Sequence, residues 1–144
     1  MVTVGRITTP QGIALEDIAA LLSQLRRSPG DWNGTKEDVE RAINDTRTIF
    51  IVARDGSKVV GMGMVFMAPK FGEALGFVEN IVVLDSYRSK GLGRTIMELV
   101  IDESRKAGVT RLDLTSNPSR VAANALYQSL GFEKRDTNVY LLHV

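Results

Sequence analysis

A chain of 144 residues with 44% apolar residues and a formal charge of +1 is the size of one domain with a buried core. Its acids and bases are mixed along the chain, which excludes the one-sided basic field that grips nucleic acid. With no cysteine and one histidine, His143, it lacks the makings of a disulfide, an ordinary zinc site, a cysteine nucleophile or a Ser/His/Asp triad.

No repeat or low-complexity segment interrupts the chain, so one continuous domain over residues 1–144 is expected. No charged-then-apolar leader, bilayer-length apolar run or lipidation motif is present, and the expectation is a soluble cytoplasmic protein without a membrane partner. "VTVGRIT" reads as an opening strand. Apolar residues at 15, 18, 21, 22 and 25 predict a helix over residues 13–27, broken by "SPGDWNG". Thr35 as N-cap with Asp38 three residues on starts a short helix to about Asn44. "TIFIVARDGSKVVGMGMVFMA" reads as two strands joined at Asp55-Gly56, and "ALGFVENIVVL" as a third, together an antiparallel meander.

A helix over residues 93–107 follows, with Gly108 suited to end it in the left-handed region. "RLDLTS" is a short strand. Asn117-Pro118 offers an N-cap with proline at the first helical position, opening a helix that ends at Gly131. "FEKR" and "NVYLLHV" are expected to close the chain as a strand pair around Asp136-Thr137, with His143 a plain strand residue. The order βααβββαβαββ fits an α/β fold with a mixed, mostly antiparallel sheet and helices on both faces.

The chemistry concentrates in "LDSYRSKGLGRT", residues 84–95, a loop between a strand and a helix start. Free backbone N–H groups at the positive end of a helix dipole make an anion site. Gly91 and Gly93 let an anion approach the backbone, while Arg88, Lys90 and Arg94 add charge, a setting that suits a pyrophosphate better than a carboxylate. The Walker pattern is absent. The dinucleotide fingerprint fails at its third glycine, which is Ile96 here, although Asp113 stands about where a ribose-binding acid should.

What remains is R-x-x-G-x-G, residues 88–93, with "VENIVV" before it and "ANALYQSLGF" after it. In these three linked stretches the chain resembles the GNAT superfamily, the acetyl-CoA-dependent N-acetyltransferases, over residues 77–132 in motif and over the whole chain in element order. The resemblance implies acetyl-CoA as cosubstrate, its pyrophosphate held by Arg88, Ser89, Lys90, Gly91, Leu92, Gly93 and Arg94. It implies that Ile81, Val82 and Val83 lie along the pantetheine arm, that Asn124 contacts it, and that Tyr127 stands near the sulfur as general acid. A thiol titrates near 8.5 and a phenol near 10, so a phenol can hand its proton to a forming thiolate at neutral pH.

Glu79 is the candidate base. On a strictly alternating strand it shares a face with Phe77, Ile81 and Val83, where a carboxylate is either costly or purposeful. The other reading is a strand-edge salt bridge. Asn80, where the family frequently has aspartate, is a substrate contact. Asn117 either reaches the cofactor or caps the last helix, and Thr115 and Ser116 end the strand before it. Trp32 is either an aromatic wall for substrate or a cover for the core. Asp31 and Glu73 are acids placed to attract a cationic amine. The function expected is direct transfer of an acetyl group to a small primary amine, since no cysteine exists to carry it. Protein lysines or N-termini as acceptors, and a non-catalytic CoA-binding domain, are the alternatives. "VYLLHV" is an apolar edge suited to pairing with a second copy as a homodimer.

Overall fold

Residues 1–26 and 32–144 are described by a computed structural model. Its central meander forms where the alternating apolar runs stand. Strand β1 (Val2–Ile7) pairs antiparallel with β2 (Thr48–Asp55), β2 with β3 (Lys58–Lys70), and β3 with β4 (Glu73–Val83). The β2–β3 turn falls at Asp55-Gly56 as expected, with Gly56 at φ +61°. A fifth strand, β5 (Arg111–Asp113), adds in parallel beside β4 and completes the order β1-β2-β3-β4-β5.

Residues on both faces of β2 and β3 are buried because helices cover both sides. On one face Ile49, Ile51, Val65 and Val78 pack with Ile96, Met97 and Val100 of α3 (Leu92–Lys106) and Tyr127 of α4 (Val121–Ser129). On the other, Phe50, Val52, Met62 and Val82 pack with Ile18 and Leu21 of α1 (Leu15–Leu25) and Ile43 of α2 (Lys36–Asn44). Each such side chain contributes about 1.5–3 kcal/mol when taken fully out of water. The expected two-sided architecture is therefore present.

Local signals set several boundaries. Thr35 Oγ1 accepts from the Asp38 N–H at 3.2 Å while Asp38 Oδ2 accepts from the Thr35 N–H at 2.8 Å, the reciprocal cap expected from their spacing. Gly108, at φ +85°, ends α3 in the left-handed region.

Three expectations are corrected. The last helix does not start at Asn117-Pro118. Asn117 Oδ1 accepts from the Ser119 N–H at 2.9 Å in a local turn, and α4 begins after Arg120 instead. Strand β5 is half the predicted "RLDLTS", since its neighbour turns away beyond Phe77. The closing strand pair is absent: residues 133–144 form no ladder and lie exposed. A strand-prone segment becomes a strand where a hydrogen-bonding partner and an apolar face meet it, and this one meets neither among the described residues.

Candidate active site

The site begins with an irregularity in β4. Met62 faces Val82 and Met64 faces Glu79, so β4 carries one more residue than β3 across this step, a bulge. Asn80 absorbs it at φ +55°, a conformation that asparagine tolerates better than most residues. The bulge reverses the strand's alternation. Val78, Ile81 and Val83 all pack toward the α3 face, and Val82 toward the α1 face. The expectation that Glu79 shares a face with Ile81 and Val83 is therefore overturned. Glu79 lies opposite Val78 and is exposed, so its carboxylate bears no burial cost.

The same irregularity opens the sheet. β4 and β5 pair through Leu75–Arg111, Gly76–Leu112 and Phe77–Asp113 and then part. Beyond Phe77 the edge of β4 toward β5 has no ladder partner among the described residues, and a cleft replaces the missing pairing. One end of the cleft is lined by Glu79, Asn80, Leu114 and Thr115, the other by Val82, Val83, Arg88 and Gly93. Leu25, Ile81, Arg120 and Tyr127 line both ends. Gln24 of α1 fastens the strand where it leaves the sheet: its Nε2 donates to Val83 O at 2.8 Å and its Oε1 accepts from Asp85 N–H at 2.9 Å.

At the far end stands the glycine loop. After a single 3-10 turn (Asp85–Tyr87), Ser89 at φ +62° and Gly91 at φ +76° curl the chain, and α3 starts at Leu92. Among the described residues, no acceptor is bonded to the N–H groups of residues 89–94. A Cβ added at Gly93 would make an ordinary 3.6 Å contact with Leu126, so the fold itself does not require glycine there. The bare position leaves room for a ligand at the first turn of a helix, where an anion is favoured.

The loop's cations are held from behind. Arg88 pairs with Asp85 at 3.0 Å; Arg94 pairs with Glu98 at 3.6 Å and donates to Ser129 Oγ at 2.6 Å. Lys90 lies over the Tyr87 ring at 5.0 Å, and the Tyr87 hydroxyl donates to Asp55 Oδ2 at 2.7 Å, tying the loop to the end of β2. That hydrogen bond lowers the pKa of Asp55 and raises that of Tyr87.

Tyr127 is 6% exposed and packs edge-on against Phe132, ring centres 6.1 Å apart. Burial pushes its phenol above the ordinary 10, and the charge of Arg120 pulls in the other direction. The phenol is thus held in its neutral, proton-bearing form at neutral pH, beside a cleft. Sequence spacing does not point to Arg120 or Gln24 as cleft residues; a lone arginine after a serine carries no signal.

Of the other expected site residues, some line the cleft and others stand elsewhere. Asn124 Nδ2 donates to the carbonyls of Asn117 and Arg120, both at 2.9 Å, and so holds the connection between β5 and α4. Asn117 lies at the start of that connection, its own side chain spent on Ser119. Trp32 is half-buried against the α1-side core, its ring packed on Gly34, and does not line the cleft. Thr115 lines the cleft, and Ser116 Oγ is buried with no hydrogen-bond partner among the described residues. Glu73 sits at the start of β4, away from the cleft residues, and Asp31 lies outside the described residues. Among the described residues no cluster suited to a metal is found, and no helix is long and apolar enough to cross a membrane.

A loop of free amides, a bulged strand with an open edge and a buried tyrosine across from it define a class, and comparison with known proteins names it. The acetyltransferase (GNAT) family pattern matches residues 16–132; the chain belongs to this family of acyltransferases, whose members use acetyl-CoA. It is similar, at 49% identity over 55 residues, to the [ribosomal protein bS18]-alanine N-acetyltransferase of Escherichia coli (strain K12), covering 38% of this chain and 37% of that one. It is 31% identical over 118 residues to an L-2,4-diaminobutyric acid acetyltransferase of Shouchella clausii, covering 81% of this chain and 64% of the relative. The matches thus span less than two thirds of the length of these relatives. A glucosamine 6-phosphate N-acetyltransferase of Trypanosoma brucei brucei is 31% identical over 107 residues, 72% of this chain and 70% of that one. The crystal structure of a Trypanosoma brucei acetyltransferase shares the fold, with a TM-score of 0.79 at 22% identity over 99% of this chain and 100% of that one.

Proposed function

We propose that this protein is an N-acetyltransferase that moves the acetyl group of acetyl-CoA to a primary amine of a small molecule in one direct step. The observation that carries the reading is the open edge of β4, which runs from beside Tyr127 to the unbonded amides of residues 89–94. The residues present fit the cosubstrate: a helix start with free donors suits a pyrophosphate, and an unpaired strand edge suits an amide-bearing arm.

When bound, acetyl-CoA supplies an electrophilic thioester. Ile81, Val82 and Val83 offer backbone groups along the arm, with Arg88, Ser89, Lys90, Gly91, Leu92, Gly93 and Arg94 around the pyrophosphate. Tyr127 donates its proton to the departing sulfur as the carbon–sulfur bond breaks and the carbon–nitrogen bond forms. Glu79, exposed at the cleft mouth, takes the proton released by the amine through solvent. Asn80 contributes its side chain to the acceptor end. Asn117 and Asn124 act by fixing the wall that carries Arg120 and Tyr127. Trp32 serves the α1-side core rather than substrate, in keeping with its packing.

A second reading, the N-terminal amine of a polypeptide as acceptor, is favoured by the segment 49% identical to an alanine N-acetyltransferase. One experiment tests both. The chain has no cysteine, so a thiol reagent reports only CoA released from acetyl-CoA. Amino acids, amino sugars, polyamines and peptides are compared; CoA release with small amines supports the reading, release with peptides alone favours the second, and none with any amine contradicts both.

A homodimer is part of the same proposal. Val139, Tyr140, Leu141, Leu142 and Val144 are 72–118% exposed, in a nearly continuous apolar run, while β5 leaves its outer edge open. A second copy offers this segment the ladder partner it lacks among the described residues.

A further inference from the structure

Arg120 is the residue of the cleft that the proposed chemistry leaves without a task. Arg120 lines both ends, and its charge acts on the Tyr127 phenol. The loop cations Arg88 and Arg94 each have a carboxylate partner, and Lys90 lies over a ring. Among the described residues Arg120 has no carboxylate within ion-pair distance and no side-chain hydrogen bond.

Its backbone is firmly placed. The Arg120 N–H donates to Asn117 O at 3.0 Å, and its carbonyl accepts from the Asn124 N–H and Asn124 Nδ2, each at 2.9 Å. A half-buried cation on a fixed base, facing a cleft and unpaired, is poorly explained by stability, since a guanidinium partly out of water seeks an anion. At the same end of the cleft stands Glu79, which forms no ion pair with it. One wall thus carries a cation and another an anion, held apart.

Resting on the acetyltransfer reading, we propose that this end of the cleft takes a zwitterionic acceptor, an amine that also carries a carboxylate or a phosphate, with Arg120 binding the anionic group. The amine lies on the Glu79 side. The planar fork of the guanidinium grips two oxygens of the anion at once, and Thr115 offers a hydroxyl beside it. Amines of the same length without the anion leave Arg120 unpaired and are poorer acceptors.

The test has two arms. In the first, the Arg120 Nε–H signal is followed by NMR while the protein is titrated with β-alanine or 2-aminoethyl phosphate, and with their neutral counterparts, β-alanine amide and ethanolamine. A saturable shift with the carboxylate or the phosphate, and none with the neutral pair, is expected, and which of the two anions acts identifies the source. In the second arm, kcat/KM is compared within each pair. The anionic member is expected to be better by about tenfold or more, as one charge-assisted hydrogen bond implies. Arg120→Gln should bring the ratio to about one, and Arg120→Lys, which keeps the charge but loses the fork, should fall between.

No saturable shift with either anion overturns the inference. So does a ratio that Arg120→Gln leaves unchanged while the KM for acetyl-CoA rises, since Arg120 would then serve the donor. If no amine is acetylated at all, the acetyltransfer reading fails, and the NMR arm still decides whether the cleft binds an anion.

Discussion

At the scale of single residues, Tyr127 carries the sharpest commitment. Its ring is fixed by burial and by Phe132, so Tyr127→Phe removes one oxygen and leaves the packing in place. A general acid contributes about 10²–10⁴ to rate, and kcat should fall within that range while acetyl-CoA affinity holds. Equal losses in both, measured by steady-state kinetics and calorimetry, would contradict the acid role. The pH dependence has a definite sign. The neutral phenol is the active form and burial raises its pKa above 10, so the alkaline decline in kcat lies above pH 10. Arg120 favours the phenolate, and Arg120→Gln should move that decline to still higher pH.

At the scale of elements, the bulge in β4 and the loop after it do the positioning. Gly63 faces the bulge from β3, and a Cβ there would fall 2.6 Å from Ile81 Cδ1 and 2.9 Å from Ile96 Cγ2. Since Ile96 is fully buried, Gly63→Ala overpacks the joint between α3 and the sheet and should cost about 1–3 kcal/mol, read as a lower Tm. An unchanged Tm would mean that the sheet yields there. The loop depends on Tyr87, which anchors it to Asp55. Tyr87→Phe frees the loop, and the Kd for acetyl-CoA should rise about tenfold or more, the value of one hydrogen bond to a charged group, with kcat little altered. A fall in kcat at constant Kd would place the role of Tyr87 elsewhere.

The legibility of these elements follows from where their causes lie. The Thr35–Asp38 cap, the Asp55-Gly56 turn and the Gly108 stop are decided by neighbours in sequence, and all three stand where the sequence places them. The bulge is a property of the ladder between two strands. Asn80, a residue at ease in the left-handed region, is its one local sign, and in sequence it presents itself only as a substrate contact. The face of Glu79 is hidden in sequence for the same reason. At Asn117-Pro118 a good capping signal lost to a competing turn, closed by the Ser119 N–H and secured by Asn124 from the helix. Arg120 gains its meaning from what surrounds it in space, which no spacing announces.

At the scale of the whole molecule, two cores sandwich one sheet, and the cleft opens where that sheet parts between β4 and β5. The apolar run at residues 139–142 is plain in sequence, but the partner that would make it a strand is not within the described fold. Light scattering should therefore return a dimer for the full chain and a monomer for a chain ending at Phe132, which retains the cleft. A full chain that is monomeric at micromolar concentration would leave the exposed segment without its proposed partner.

The central claim is that the loop of residues 89–94 and the open edge of β4 hold acetyl-CoA. Calorimetric titration with acetyl-CoA, beside NADH and ATP, tests it most directly, with Gly93→Glu as the control. A Cβ at residue 93 meets only an ordinary contact with Leu126, so the variant should keep its Tm while its carboxylate occupies the anion site. The account predicts selective binding of acetyl-CoA in the micromolar range, lost in Gly93→Glu. Binding that survives the substitution, or a preference for NADH, would contradict it.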